Sequence, residues 1–253
     1  MNIANFIERV LGWVVSILVI LAMVLLLVFP FGCLQCTATL LFDRPAHTVD
    51  GVDIYARPGA EGAAKRIDQH MLDQAKARVV ALLGEDSDFS SDIIVGDRDQ
   101  LDGDIDFAGW VAPSFLGRPV MMLPIESLTE DVLAHELVHV ALIHRWGYWR
   151  TLRDLPEWVN EGLAMQVDHR ASFAFRNLCY LLDGDPMPVI EHLDSQSSFY
   201  AASSRRLTAR YSYVKQVVER TDIPGFLVAY DRGGRFEDVG TGFFKDLSAN
   251  EVC

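Results

Sequence analysis

The chain is short of positive charge: 22 Lys and Arg stand against 35 Asp and Glu in 253 residues, a formal net charge of −13. It lacks the basic surface that phosphate backbones require, so no nucleic acid partner is expected. Cysteine is scarce too, with four in all. A domain of roughly 200 residues buries enough apolar surface to fold without a disulfide framework. The 18 Gly and 10 Pro follow no period, which removes the collagenous, coiled-coil and low-complexity classes. No internal repeat is found. What remains is 50 % hydrophobic and 23 % charged, ordinary for a packed acidic domain.

Val10 to Phe31 runs without a charge. As a helix it would extend about 33 Å, enough for a hydrocarbon core of roughly 30 Å. It is longer than the about 7–15 apolar residues of a signal peptide. Trp13, Phe29 and Phe31 suit the interfaces, and Pro30 and Gly32 would end the helix. The expectation is an uncleaved single-pass anchor in residues 1–32, contacting the membrane through residues 10–31. The remaining domain would then be extracytoplasmic, periplasmic or extracellular. Residues 33–51 read as a linker. Cys33 and Cys36 within it lack both the βαβ setting of a redox CxxC and the second ligand pair of a zinc knuckle. Cys179 and Cys253 are isolated.

Val52–Ala56 alternates as a strand closed by Pro58-Gly59, and Asp92–Gly96 is a second strand. Apolar residues from Ala64 to Leu83 recur at helical spacing. Phe107–Val111 and Pro119–Leu123 read as a hairpin, and the chain beyond Ser127 is helical in pattern. The fold class expected is α+β: an N-terminal transmembrane helix, then a small mostly antiparallel sheet on a helical bundle spanning 52–253.

Ser127 to Glu130 has the form of a capping box. The helix it opens contains His135-Glu136-Leu137-Val138-His139, an HExxH that chance produces about once in a hundred such chains. Spacing of i, i+4 puts both imidazoles on one face, with Glu136 beside them to take a proton from an attacking water. Downstream, HExxHxxGxxH fails because Leu142 and Arg145 occupy the last two signature positions. Glu161, 22 positions after His139 in a second helix, suits as third ligand. Glu157 lies one turn earlier on the same face and stays open as a rival, its other role being to stabilise the helix N-terminus. Gly162 and Ala164 would let the two helices approach closely.

HELVH followed by PEWVNEGLA resembles the gluzincin clan of zinc metallopeptidases, especially its peptidase MA-like members. The resemblance covers roughly Val52 onward, with the specific match confined to 135–164. It implies one zinc ion held by His135, His139 and Glu161, with Glu136 as general base and a peptide or protein as substrate. Met165 stands where the thermolysin-like branch has an Asp, which points to another branch and leaves the partner of the first His unassigned. The clan commonly uses a Tyr or His as oxyanion donor, and Tyr211 resembles that Tyr, with core packing as its plainer role. Clan analogy also suggests Gly109–Met122 as an edge for an extended peptide. A membrane-anchored zinc peptidase is the leading expectation. A non-catalytic zinc- or partner-binding membrane protein that keeps the fold is the alternative.

Overall fold

In this computed structural model the described residues are 12–17, 19, 33–101, 108–114, 116–182, 188 and 190–244. Helix α1 (Leu34–Phe42) leads into strands β1 (His47–Val49) and β2 (Val52–Ala56). A short helix α2 (Glu61–Ala64) precedes α3 (Gln69–Leu83), whose start is set by Asp68: its carboxylate accepts from the Met71 N–H at 2.9 Å. Strands β3 (Asp92–Gly96), β4 (Trp110–Pro113) and β5 (Pro119–Pro124) follow. Helices then dominate: α4 (Glu130–Trp146), α5 (Tyr148–Arg153), α6 (Glu157–Val167), α7 (Leu178–Leu182), α8 (Gln196–Tyr200), α9 (Ser204–Glu219), α10 (Ile223–Asp231) and α11 (Phe236–Val239).

The five strands form one sheet in the order β1-β2-β3-β5-β4. The expectation of a mostly antiparallel sheet is corrected at its centre, where β2–β3 and β3–β5 are parallel. Only the outer pairs, β1–β2 and the β4–β5 hairpin, are antiparallel. The connection through α3 returns the chain to the same end of the sheet, which makes the next strand parallel. Every residue of β3 and β5 is buried, as parallel strands covered on both faces require. On one face Ile93, Val95, Met121 and Leu123 meet the helices in the main core. On the other, Ile94, Val120 and Met122 pack with Tyr55 and Cys36 in a smaller core. Thus the segment expected to be a linker folds, and α1 caps the second face of the sheet. Cys33 and Cys36 are disulfide-bonded to each other. Cys179, read as isolated, is disulfide-bonded as well.

The membrane reading is also corrected. Most of Val10–Phe31 lies outside the described residues, and among those described no helix is long and apolar enough to cross a membrane. The longest, α4, has 17 residues and carries charged side chains, against about 20 apolar residues for a span. The transmembrane helix and the single-pass extracytoplasmic placement therefore do not stand; the expected contact through residues 10–31 falls mostly outside the described residues.

Helix α4 is the central strut. Thr129, not Ser127, caps it, accepting from the Val132 N–H at 3.3 Å. Ser127 instead donates its hydroxyl to the Ala108 carbonyl. Arg78 of α3 reaches Asp131 at 2.6 Å and also pairs with Glu130 in the first turn, where the helix dipole favours carboxylates. At the far end the Trp146 indole donates to Asp231 of α10 at 2.7 Å. Both termini are thus tied down, which fixes the angular position of every side chain between them.

Candidate metal and catalytic site

Helix α6 has Pro156 as its N-cap, although the preceding Asp154 has the side chain of a good cap. Asp154 instead accepts from the Tyr230 hydroxyl at 2.7 Å, and the Asp194 carbonyl takes the Glu157 N–H at 2.9 Å. This start brings Glu161 against the two histidines of α4. His135 Nε2 lies 3.1 Å from Glu161 Oε2, and His139 Nε2 lies 3.7 Å from Glu161 Oε1. The close approach of Gly162 is not to α4, as the sequence suggested, but to α9. A Cβ there would sit 2.5 Å from Val218 Cγ2.

The other nitrogen of each ring faces an acceptor. His139 Nδ1 is 3.0 Å from Asn160 Oδ1. His135 Nδ1 faces Asp168 Oδ2 at 3.5 Å, a charge contact rather than a hydrogen bond. An acceptor at Nδ1 favours a proton there and leaves the Nε2 lone pair for a cation, the arrangement found around metal-bound histidines. One donor atom from each of His135, His139 and Glu161 lies within 4.8 Å of the others, and all three residues are buried. This group could hold a metal ion.

The charges around it follow from these contacts. Burial works against the charged form of Glu161, but His139 and His135 overcome it and hold the carboxyl below its usual range. Burial also opposes Asp168, yet His135 and Arg170 hold it well below the ordinary carboxylate range. Arg170 Nε donates to both Asp168 oxygens, at 3.0 and 2.9 Å. Burial lowers His135, and the Asp168 and Glu161 carboxylates more than reverse this, to about 10. His139 is pushed down by burial.

Glu136 is in the opposite situation. It is 3 % exposed, its Oε2 is buried with no hydrogen-bond partner, and burial pushes it up to about 7. Gly109, just before β4, presses its backbone against this carboxylate; a Cβ there would lie 2.9 Å from Glu136 Oε1. Glu136 lines a cavity of 640 Å³ together with His135, His139, Glu161, Arg170 and Tyr211. β4 is the sheet edge, and all four of its residues line the same cavity. One of its carbonyls, that of Pro113, is already taken by the Cys33 N–H at 3.0 Å.

Glu157 is not part of the metal-holding group. It accepts from the Tyr200 hydroxyl at 2.9 Å, and the same hydroxyl bonds Glu161. Burial and the neighbouring Glu161 charge push Glu157 up. Tyr211 lies in the cavity wall with its ring centroid 6.3 Å from that of His135, packed against Phe173 and Phe199 and bonded to Tyr200. Burial raises both tyrosines well above their usual value. His144, outside the cavity wall, bonds the Ser90 carbonyl at 2.7 Å.

Sequence reasoning missed Asp168, Asn160, Tyr200 and Arg170. Asp168 had a signal: it follows Glu161 by seven residues, two helical turns, and so shares its face. Asn160 adjoins Glu161. Tyr200 and Arg170 reach the site through loop geometry, for which no spacing rule exists. Set beside protein-family models, curated proteins and solved structures, the chain matches none of them.

Proposed function

We propose that the protein is a zinc-dependent peptidase of gluzincin type, hydrolysing peptide bonds with Glu136 as general base. The observation that carries this is Glu136 itself: a buried carboxylate with an unpartnered oxygen, in a cavity wall between two metal-competent histidines. A purely structural metal site has no use for such a group, which costs stability where it stands.

Two imidazoles and one carboxylate are the donor set of many catalytic zinc sites, and three protein ligands leave a position open. When bound, zinc polarises the scissile carbonyl and makes water more acidic. His135, His139 and Glu161 would hold it, with Asp168 and Asn160 fixing the rings. Glu136 accepts a proton from the attacking water as its oxygen bonds the carbonyl carbon. It then delivers that proton to the leaving nitrogen as the C–N bond breaks. The cavity-facing edge strand β4 offers backbone groups to align an extended peptide. Tyr211 stands in the wall near enough to be tested as a donor to the oxyanion.

The test is metal analysis of the purified full chain together with a peptide-library digest. Stoichiometric zinc and cleavage at defined bonds are expected. Bound zinc with no cleavage across a broad library would favour the non-catalytic binding role.

A further inference from the structure

A second cavity, of 830 Å³, adjoins the first; Leu152, Glu157, Gln196 and Ser197 line both. Its size falls within the range of ligand pockets. Glu157 is the one acid at that junction, 6 % exposed, while Glu161 one turn away has two histidines to answer its charge. Among the described residues no Lys, Arg or His pairs with Glu157, and the Tyr200 hydroxyl it accepts is shared with Glu161. The second cavity has an apolar wall in Trp158, Phe236 and Phe244, the Trp158 ring lying edge-on 5.9 and 5.0 Å from the other two. Its two arginines are already engaged, Arg235 with Glu237 at 2.8 Å and Arg153 over the Trp149 ring.

A buried carboxylate without a counter-charge, at the mouth of a chamber with one apolar wall and with Asp154, Asp194 and Glu237 also in its lining, is complementary to an apolar stem that ends in a cation. We propose that Glu157 is the recognition carboxylate for a protonated nitrogen of the peptide substrate, with the second cavity accommodating the chain that bears it. The nitrogen belongs either to a basic side chain or to a free α-amine. The substrate class rests on the peptidase reading; the binding site does not.

Calorimetry separates the two. The full chain, with metal removed by a chelator so that no probe is hydrolysed, is titrated with three Ala-Ala-X-Ala-Ala amides. One is acetylated with X as lysine, one has a free α-amine with X as norleucine, and one is acetylated with X as norleucine. At least one cationic peptide should bind about tenfold or more tighter than the neutral one, as expected for one desolvated charge pair. The lysine arm identifies a side-chain site and the free-amine arm a terminal one. Glu157→Gln, which keeps an acceptor for Tyr200, should bring the ratio below about twofold. Equal binding of the three peptides by the wild-type chain overturns the proposal even if the variant does not fold, and so does a preference that survives Glu157→Gln. A cationic preference in a chain whose metal-loaded form cleaves nothing removes the peptidase reading and leaves this site. Cleavage without any cationic preference does the reverse.

Discussion

Glu161 on α6 and Glu136 on α4 are carboxylates of one cavity with nearly equal burial, 4 % and 3 % exposed, and opposite surroundings. Around Glu161 the two histidines are backed by acceptors: His135 turns its far nitrogen to the charge of Asp168, Asp168 is gripped by Arg170, and His139 is oriented by Asn160. Glu136 has a buried oxygen with no partner and the Gly109 backbone against the other. Burial alone therefore does not decide what a carboxylate does. Where cationic partners contact it the charge is held, as at Glu161; where His135 and Arg170 act only through space, burial outweighs them and pushes the group toward its neutral form, as at Glu136. One end of the site is built to hold and the other is left free to exchange a proton.

The contrast breaks first if the holding end is misassigned. His135→Ala and Glu161→Gln should each lose metal and activity together, because two remaining ligands hold an ion poorly. The loss of affinity should exceed the about 10–100-fold expected from removing an outer partner. Glu157→Gln should keep its metal, since Glu157 bonds Tyr200 and lies outside the metal-holding group. Metal stoichiometry of the three purified variants is the measurement. Equal loss from Glu157→Gln and Glu161→Gln would show that the wrong carboxylate has been placed in the metal group.

At the other end, binding and turnover should separate. Glu136→Gln preserves shape and removes the base, so zinc content stays near wild type while hydrolysis falls about 10²–10⁴-fold. A variant that cleaves one identified peptide as fast as wild type would remove Glu136 from the mechanism. Asp168→Asn comes next in size. It leaves His135 in place but takes away the charge facing its Nδ1, and metal affinity should drop about 10–100-fold. Competition with a chromogenic chelator reads this directly; an unchanged affinity would mean that the 3.5 Å contact does not orient the ring.

Much of the holding end was legible in the chain because it obeys helical periodicity. His135, Glu136 and His139 share one helix, Glu161 opens a clear second pattern, and Asp168 continues that face. The rest was less legible, since Gly109 approaches Glu136 from the strand side and Tyr200 reaches Glu161 from a separate short helix. The sheet misled for a related reason. The buried runs Asp92–Gly96 and Pro119–Pro124 show where strands lie, but their direction is set by the connections, the α3 crossover before β3 and the β4 hairpin before β5. Residues 33–51 looked like a linker because α1 is short and contributes few side chains to the smaller core. The uncharged Val10–Phe31 run carried the membrane reading through its length and flanking aromatics, and no described helix supports it.

The smallest expected effect tests whether the holding end is fixed from behind. Gly162 neighbours Glu161 and lies against α9, where an added Cβ would meet Val218 Cγ2 at 2.5 Å and the Val214 carbonyl oxygen at 3.1 Å. Val218 is β-branched and fully buried, so its methyl cannot swing aside freely. Overpacking of this kind costs about 1–3 kcal/mol, against a gain of about 1 kcal/mol for replacing Gly by Ala within a helix. Gly162→Ala should therefore destabilise the chain by about 1 kcal/mol, a fall in Tm of roughly 2–4 °C for a domain of this size. Since α4 does not touch the added methyl, Glu136 keeps its place. Turnover per bound metal should hold steady while metal affinity weakens, because a shifted α6 moves Glu161 and Asn160 but not Glu136. Thermal unfolding and metal titration of the same preparation decide the matter. A stabilised variant would mean that α6 and α9 have room to part, and a drop in turnover per metal would mean that the two ends of the site are not separately supported.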